Sequence, residues 1–278
     1  MLHLSGTEWL VYRLVYTVSA IVAIICVASN FCLFLVTIRT KSLRSNCHIL
    51  IGLCAVFDCC HQVSRNHPFV LIYAAHYCHF LYICPLQVMP IIGLFGGCAC
   101  MMLIGFERLI AVAFPAQYRT RGRRFLIVSE VEIEGNMEYC SRAYLSTTQE
   151  KTQICAVPAV FHGKAAIYFA NTLGPVTLTT IGVYCTVALI ISRRSSISAA
   201  TRKAFRSNFF VMSADVSGWT VAMIGVQFIN AFITSADDYR FIATNGCGYF
   251  INSGIAAKSL IYYSTSAEYR QAFRFAFR

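Results

Sequence analysis

Five ionisable side chains stand among residues that are almost all apolar: Asp58, Glu107, Arg108, Asp215 and Lys258. A charge in such company is costly and needs a partner of opposite sign, a hydrogen-bond network or a neutral form. Asp58 and Asp215 are acids without a nearby sequence partner, and Lys258 is the cation of the last apolar segment. Glu107 and Arg108 are neighbours, so an ion pair at a helix end is the simplest reading, as is a lysine snorkelling to an interface. No catalytic pattern accompanies them. There is no His-Glu-x-x-His, P-loop, catalytic carboxylate pair or Gly-x-Ser-x-Gly, so an enzyme is not expected. His76-Tyr77-Cys78-His79 fits no standard zinc spacing, and no metal or cofactor is implied.

The elements that carry these charges are six long apolar stretches, at 14–38, 47–75, 80–114, 165–191, 209–233 and 241–263. Each is near or above the ~20 residues a helix needs to cross a bilayer core. With 57% hydrophobic and 13% charged residues in 278, the chain reads as a polytopic, all-α membrane protein. The net charge of +11 then says nothing of nucleic acid; what matters is where the cations sit.

Arg39, Lys41 and Arg44 follow the first stretch, and Arg119, Arg121, Arg123 and Arg124 follow the third. Arg193, Arg194, Arg202, Lys203 and Arg206 lie in a loop expected over 192–208, and Arg270, Arg274 and Arg278 in the tail. Short loops rich in Lys and Arg stay in the cytoplasm. The N-terminus is therefore expected outside and the C-terminus inside, which demands an odd number of crossings. Between 119 and 156 there is no apolar stretch to supply the seventh; Glu130, Glu132, Glu134 and Glu138 crowd there instead. The tail at 264–278 mixes aromatics and cations as an amphipathic helix on the bilayer surface would.

Most of the fourteen cysteines lie within apolar stretches, where a thiol behaves as a small hydrophobe. Cys84 and Cys155 fall at the expected outer ends of spans, where a bridge persists. Cys78, Cys140 and Cys247 compete for that pairing, so spacing alone leaves the choice open.

The segment Ile104-Gly105-Phe106-Glu107-Arg108-Leu109-Ile110-Ala111-Val112, followed by Pro115 and Tyr118, resembles the inner end of helix three in rhodopsin-like receptors. Asn30 and Asp58 fall where that family keeps its first-helix Asn and second-helix Asp. More narrowly, Cys84-Pro85-Leu86-Gln87-Val88-Met89-Pro90, the Glu107-Arg108 segment and Ile261-Tyr262-Tyr263-Ser264-Thr265-Ser266-Ala267-Glu268 resemble the nematode serpentine chemoreceptors of class Srsx. The resemblance covers most of the chain outside 121–151. It implies a seven-transmembrane helix bundle, in one domain over 1–278, whose fourth helix is missing or degenerate here.

The resemblance further implies a receptor in the plasma membrane of a sensory neuron that binds a small molecule outside and activates a heterotrimeric G protein inside. Glu107, Arg108, Tyr118 and Tyr262 would form the G-protein switch, with the carboxylate holding Arg108 in the resting state. Asn30, Asp58, Asp215 and Lys258 would form an intramembrane polar site. In the family the second-helix Asp binds sodium and is linked to Asn-Pro-x-x-Tyr; here that motif is Lys258-Ser259-Leu260-Ile261-Tyr262. The Lys258 ammonium is therefore expected to take the ion's place beside Asp58 and also Asp215. Cys155, in Ile154-Cys155-Ala156-Val157-Pro158, is the implied partner of Cys84. Gln87, Met89, Phe95, Tyr168, Trp219 and Gln227 are candidates for the ligand pocket. Asn252 occupies the position of the retinal lysine in opsins, and Pro90 that of the amine-binding Asp, so neither light nor an amine is the expected stimulus.

The competing class is a small transporter or channel, which would show internal repeats or paired broken helices; neither is present. A third reading is a receptor copy that does not signal. The stretch 125–153 could not span lipid at ordinary cost. It is read as a coding segment exchanged in a misread gene model, or else as the mark of a degraded copy.

Overall fold

The computed structural model describes residues 6–63, 88–115, 118, 164–194, 197–232 and 237–277. Among them are seven α-helices and no strand: α1 (Gly6–Arg39), α2 (Asn46–Val63), α3 (Val88–Ala113), α4 (Lys164–Arg193), α5 (Ala199–Phe232), α6 (Asp237–Thr265) and α7 (Ala267–Ala276). A single 3-10 turn, Lys41–Leu43, joins α1 to α2. The described part of each apolar stretch is helical almost throughout. Residues 119–156, with Cys155, lie outside the described residues, as do Cys84 and Gln87.

Five of these helices are long and apolar enough to cross a membrane: α1 to α5. α6 is a 29-residue helix that falls short of that apolarity, because Asn252, Ser253, Gly254 and Lys258 stand along it. Much of this polarity is turned inward: Asn252 is fully buried and Lys258 nearly so. α1 shows the bilayer as solvent most clearly. Ala20, Ala23, Cys26, Asn30, Leu33 and Val36 recur at three- and four-residue intervals and are buried. Ile21, Ile24, Ile25 and Phe31 on the other side are exposed to a degree that water would not tolerate.

Packing order is set by neighbouring pairs. α1 lies against α2 and α6, α2 against α3, α3 against α4, and α5 against α6, while α5 scarcely touches α3 or α4. The core gathers near the α1–α2 turn, with Leu33, Val36, Leu43, Leu50, Ile104, Tyr184 and Val211 buried together.

Helix ends follow local chemistry. α3 stops before Pro115, whose ring disfavours helical backbone at Phe114. α5 begins at Ala199, well before its apolar stretch, so the loop expected over 192–208 is mostly helix. Ala, Arg and Lys are good helix formers, and the charged turns simply extend the span. α7 is capped by Ser266, whose side chain accepts from the backbone N–H of Tyr269 at 3.4 Å. Tyr269 is buried against the bundle, its hydroxyl 3.2 Å from Thr37 Oγ1 on α1. Glu268 pairs with His48 Nε2 at 3.2 Å, so α7 is held on two sides. Burial holds the Tyr269 phenol above its usual range.

Candidate functional site

The charged residues converge. Lys258 on α6 projects its ammonium between two carboxylates, 3.0 Å from Asp58 Oδ2 on α2 and 3.2 Å from Asp215 Oδ2 on α5. It also lies 3.1 Å from Asp58 Oδ1 and 3.7 Å from the Cys54 sulfur. Lys258 and Asp58 are only 3% and 4% exposed. Three helices, α2, α5 and α6, thus share one cation. At such burial the contact is held by charge and hydrogen bonds together, since either charge alone would be stranded.

One layer along, amides replace charges. Gln62 Nε2 donates to Asn252 Oδ1 at 2.8 Å, linking α2 to α6. Asn30 Nδ2 donates to the carbonyl of Cys26 at 3.0 Å and to that of Ile255 on α6 at 3.4 Å. The Cys26 thiol donates to the Asn252 carbonyl at 3.2 Å. Asn30 therefore sits beside Ile255 of α6, and Asp58 and Asp215 meet at Lys258.

A second polar group closes the end of α3. Arg108 Nε is 3.4 Å from Glu107 Oε2, and the Tyr118 hydroxyl donates to Glu107 Oε1. Glu107 is 1% exposed. Burial and the adjacent Glu107 carboxylate raise the Tyr118 phenol above its ordinary range, so it is a donor. Tyr262 is not at this pair. Its hydroxyl donates to Asn208 Oδ1 on α5 at 3.3 Å, and Asn208 Nδ2 reaches the Cys47 sulfur on α2 at 3.5 Å. A polar path thus runs from Cys47 through Asn208 to Tyr262.

The pocket candidates are less well gathered. Phe95 is buried on α3 and Trp219 is half-buried on α5. Met89 is 51% exposed in the first turn of α3. Gln227 is exposed between Ile224 and Phe228, on the side of α5 turned away from the bundle. An α-helix places positions 224, 227 and 228 on one face, and here that face is the outer one. The backbone of Tyr168 belongs to α4, and its side chain lies outside what is described.

The model of the family described as serpentine type 7TM GPCR chemoreceptor Srsx matches residues 23–277. The chain belongs to the Srsx family of serpentine chemoreceptors. A comparison with curated proteins finds no match. The family match extends from α1 through α7 and takes in residues 119–156 between α3 and α4. It is a family of multi-pass membrane receptors and not of enzymes.

Some contacts of this Srsx chain carry no signal in its sequence. Asn208 follows a run of cations and reads there as a loop residue. Gln62, near the end of α2, belongs to no motif. Cys47 reads with the other thiols as a small hydrophobe. A residue's neighbours in sequence say little about a partner roughly 50 to 190 positions away, as for Asn208 with Tyr262 and Gln62 with Asn252.

Proposed function

We propose that this protein is a chemosensory receptor that binds a small molecule from outside and activates a heterotrimeric G protein at its cytoplasmic end. The observation that carries the reading is the buried Glu107 carboxylate holding both Arg108 and Tyr118 at the end of α3. An arginine held by its sequence neighbour can be passed to a new partner when the bundle changes state. The cation-rich segments after α1 and around the α4–α5 connection support a cytoplasmic position for this end. The lipid bilayer is then the solvent for the exposed faces of α1 and α4, and nucleic acid has no part.

The test is expression with a reporter G protein and a panel of small molecules applied outside. Arg108→Gln should abolish the evoked response, by more than about tenfold, while surface delivery stays near that of the unaltered chain. An undiminished response in Arg108→Gln, or flux of the stimulating compound without G-protein activation, would remove the reading.

The ligand pocket is proposed at the outer halves of α3 to α6, around Phe95 and Trp219, with Gln87, Met89 and Tyr168 as further candidates; Gln227, on the outer face, is left out. A Cys84–Cys155 bridge is proposed to tether the outer end of α3. Cys84→Ser and Cys155→Ser should then lower surface expression alike, since losing a native bridge costs roughly 2–5 kcal/mol of stability. If Cys155→Ser traffics normally while Cys140→Ser does not, Cys84 has the other partner.

A further inference from the structure

Gln62 on α2 and Asn252 on α6 are both 0% exposed, and each amide is only half used. Gln62 Nε2 donates to Asn252 Oδ1 at 2.8 Å. Gln62 Oε1 and Asn252 Nδ2, the acceptor and the donor left over, have no partner among the described residues. Buried amide atoms are rarely left so, because an unmade bond costs the full desolvation of the group. The remainder does not depend on how oxygen and nitrogen are assigned. Exchanging them in both side chains reverses the bond between the amides and again leaves one donor and one acceptor.

A guest for this pair must therefore accept one hydrogen bond and donate one. An aldehyde or a carboxylate only accepts, and an ammonium only donates. A hydroxyl does both and is the smallest group that does. A charged guest finds no spare counter-ion either, since Asp58, one turn inward on α2, already holds Lys258. The α1 wall beside the pair is built of small residues. The Cys26 thiol donates to the Asn252 carbonyl at 3.2 Å, and Ser19, Ala20 and Ala23 are buried on the two turns outward.

We propose, on the reading of the protein as a small-molecule receptor, that Gln62 and Asn252 take the hydroxyl of its ligand. That ligand is an uncharged small molecule whose carbon chain lies outward, beside Ala23 and Ala20. Its hydroxyl accepts from Asn252 Nδ2 and donates to Gln62 Oε1.

Purified full-length protein in lipid nanodiscs is titrated with straight-chain alcohols from butanol to decanol, and with the aldehyde, carboxylate and ammonium of each length. Affinity is read from thermal stabilisation, with no G protein present. The best alcohol should bind about tenfold or more tighter than its aldehyde, since a site built for a hydroxyl rejects analogues that lack one. Asn252→Leu and Gln62→Met should bring alcohol and aldehyde to parity, and in the same nanodiscs they control for partition into lipid. Parity in the unaltered chain, preference for either ion, or an alcohol preference that survives both substitutions would overturn the assignment. So would stabilisation by none of the series, which would leave the amides holding water only. If neither variant folds, the alcohol–aldehyde ratio of the unaltered chain decides by itself. Signalling is read apart from this: Arg108→Gln can silence a protein that still prefers alcohols, and a protein without that preference can still activate the G protein.

Discussion

Lys258→Met should reach the cell surface poorly and melt early in detergent, and adding Asp58→Asn should restore a good part of both. The single change leaves Asp58, 4% exposed, and Asp215 facing each other across a space that had held a cation. Breaking a buried pair from one side typically costs ~3–5 kcal/mol. Whole domains hold a margin of only about 5–15 kcal/mol, so the loss is a large share of what keeps the bundle folded. The double change removes the more deeply buried charge and leaves Asp215, whose side chain is 13% exposed, with some access to solvent. Asp58→Asn alone should be milder than Lys258→Met, because Lys258 keeps Asp215. Surface immunostaining and a thermal melt of purified protein read both effects. Equal damage from Lys258→Met and the double variant would sink the shared-cation account.

The legibility of this site in the sequence follows from its chemistry. A charge in an apolar run is conspicuous, and a bilayer leaves it few ways to be satisfied. Asp58, Asp215 and Lys258 therefore point to one another from sequence. Among the described residues the helices were legible for the same reason, since each apolar stretch had to be helical. Helix length was not: α5 begins at Ala199, ten residues before its apolar stretch at 209, because helical backbone continues where hydropathy stops. The amide layer was also hidden. Gln62 and Asn252 are ordinary residues until the register of α2 on α6 is known. Of the pocket candidates, Gln227 shows the same limit from the other side. A polar residue in a span suggests an inward face, yet the rotation of α5 turns this one outward.

Rotation and register also decide which glycines matter, and here the expected effects differ in sign. Gly254→Leu should leave little folded protein, whereas Gly182→Leu should fold at least as well as the unaltered chain. Both glycines sit inside helices, where glycine by itself is unfavourable by about 1 kcal/mol relative to alanine. At Gly182 a new Cβ meets nothing within 4 Å, and the position is exposed on the outer face of α4. A leucine there gains helix propensity and lies in lipid. At Gly254 even the first added carbon lies 2.8 Å from the Ala214 carbonyl oxygen and 3.4 Å from Asp215 Cα. These are backbone atoms, so relief requires moving α5 bodily from α6. Overpacking costs ~1–3 kcal/mol where side chains can yield, and more is expected where they cannot. The shift would also lengthen Lys258–Asp215, which spans the same seam one turn away. Thermal melts of the two variants, read beside Gly254→Ala, separate the causes. A modest loss with Ala and a collapse with Leu follow from sterics, while equal stability of Gly254→Leu and Gly182→Leu would show that α5 and α6 do not touch there.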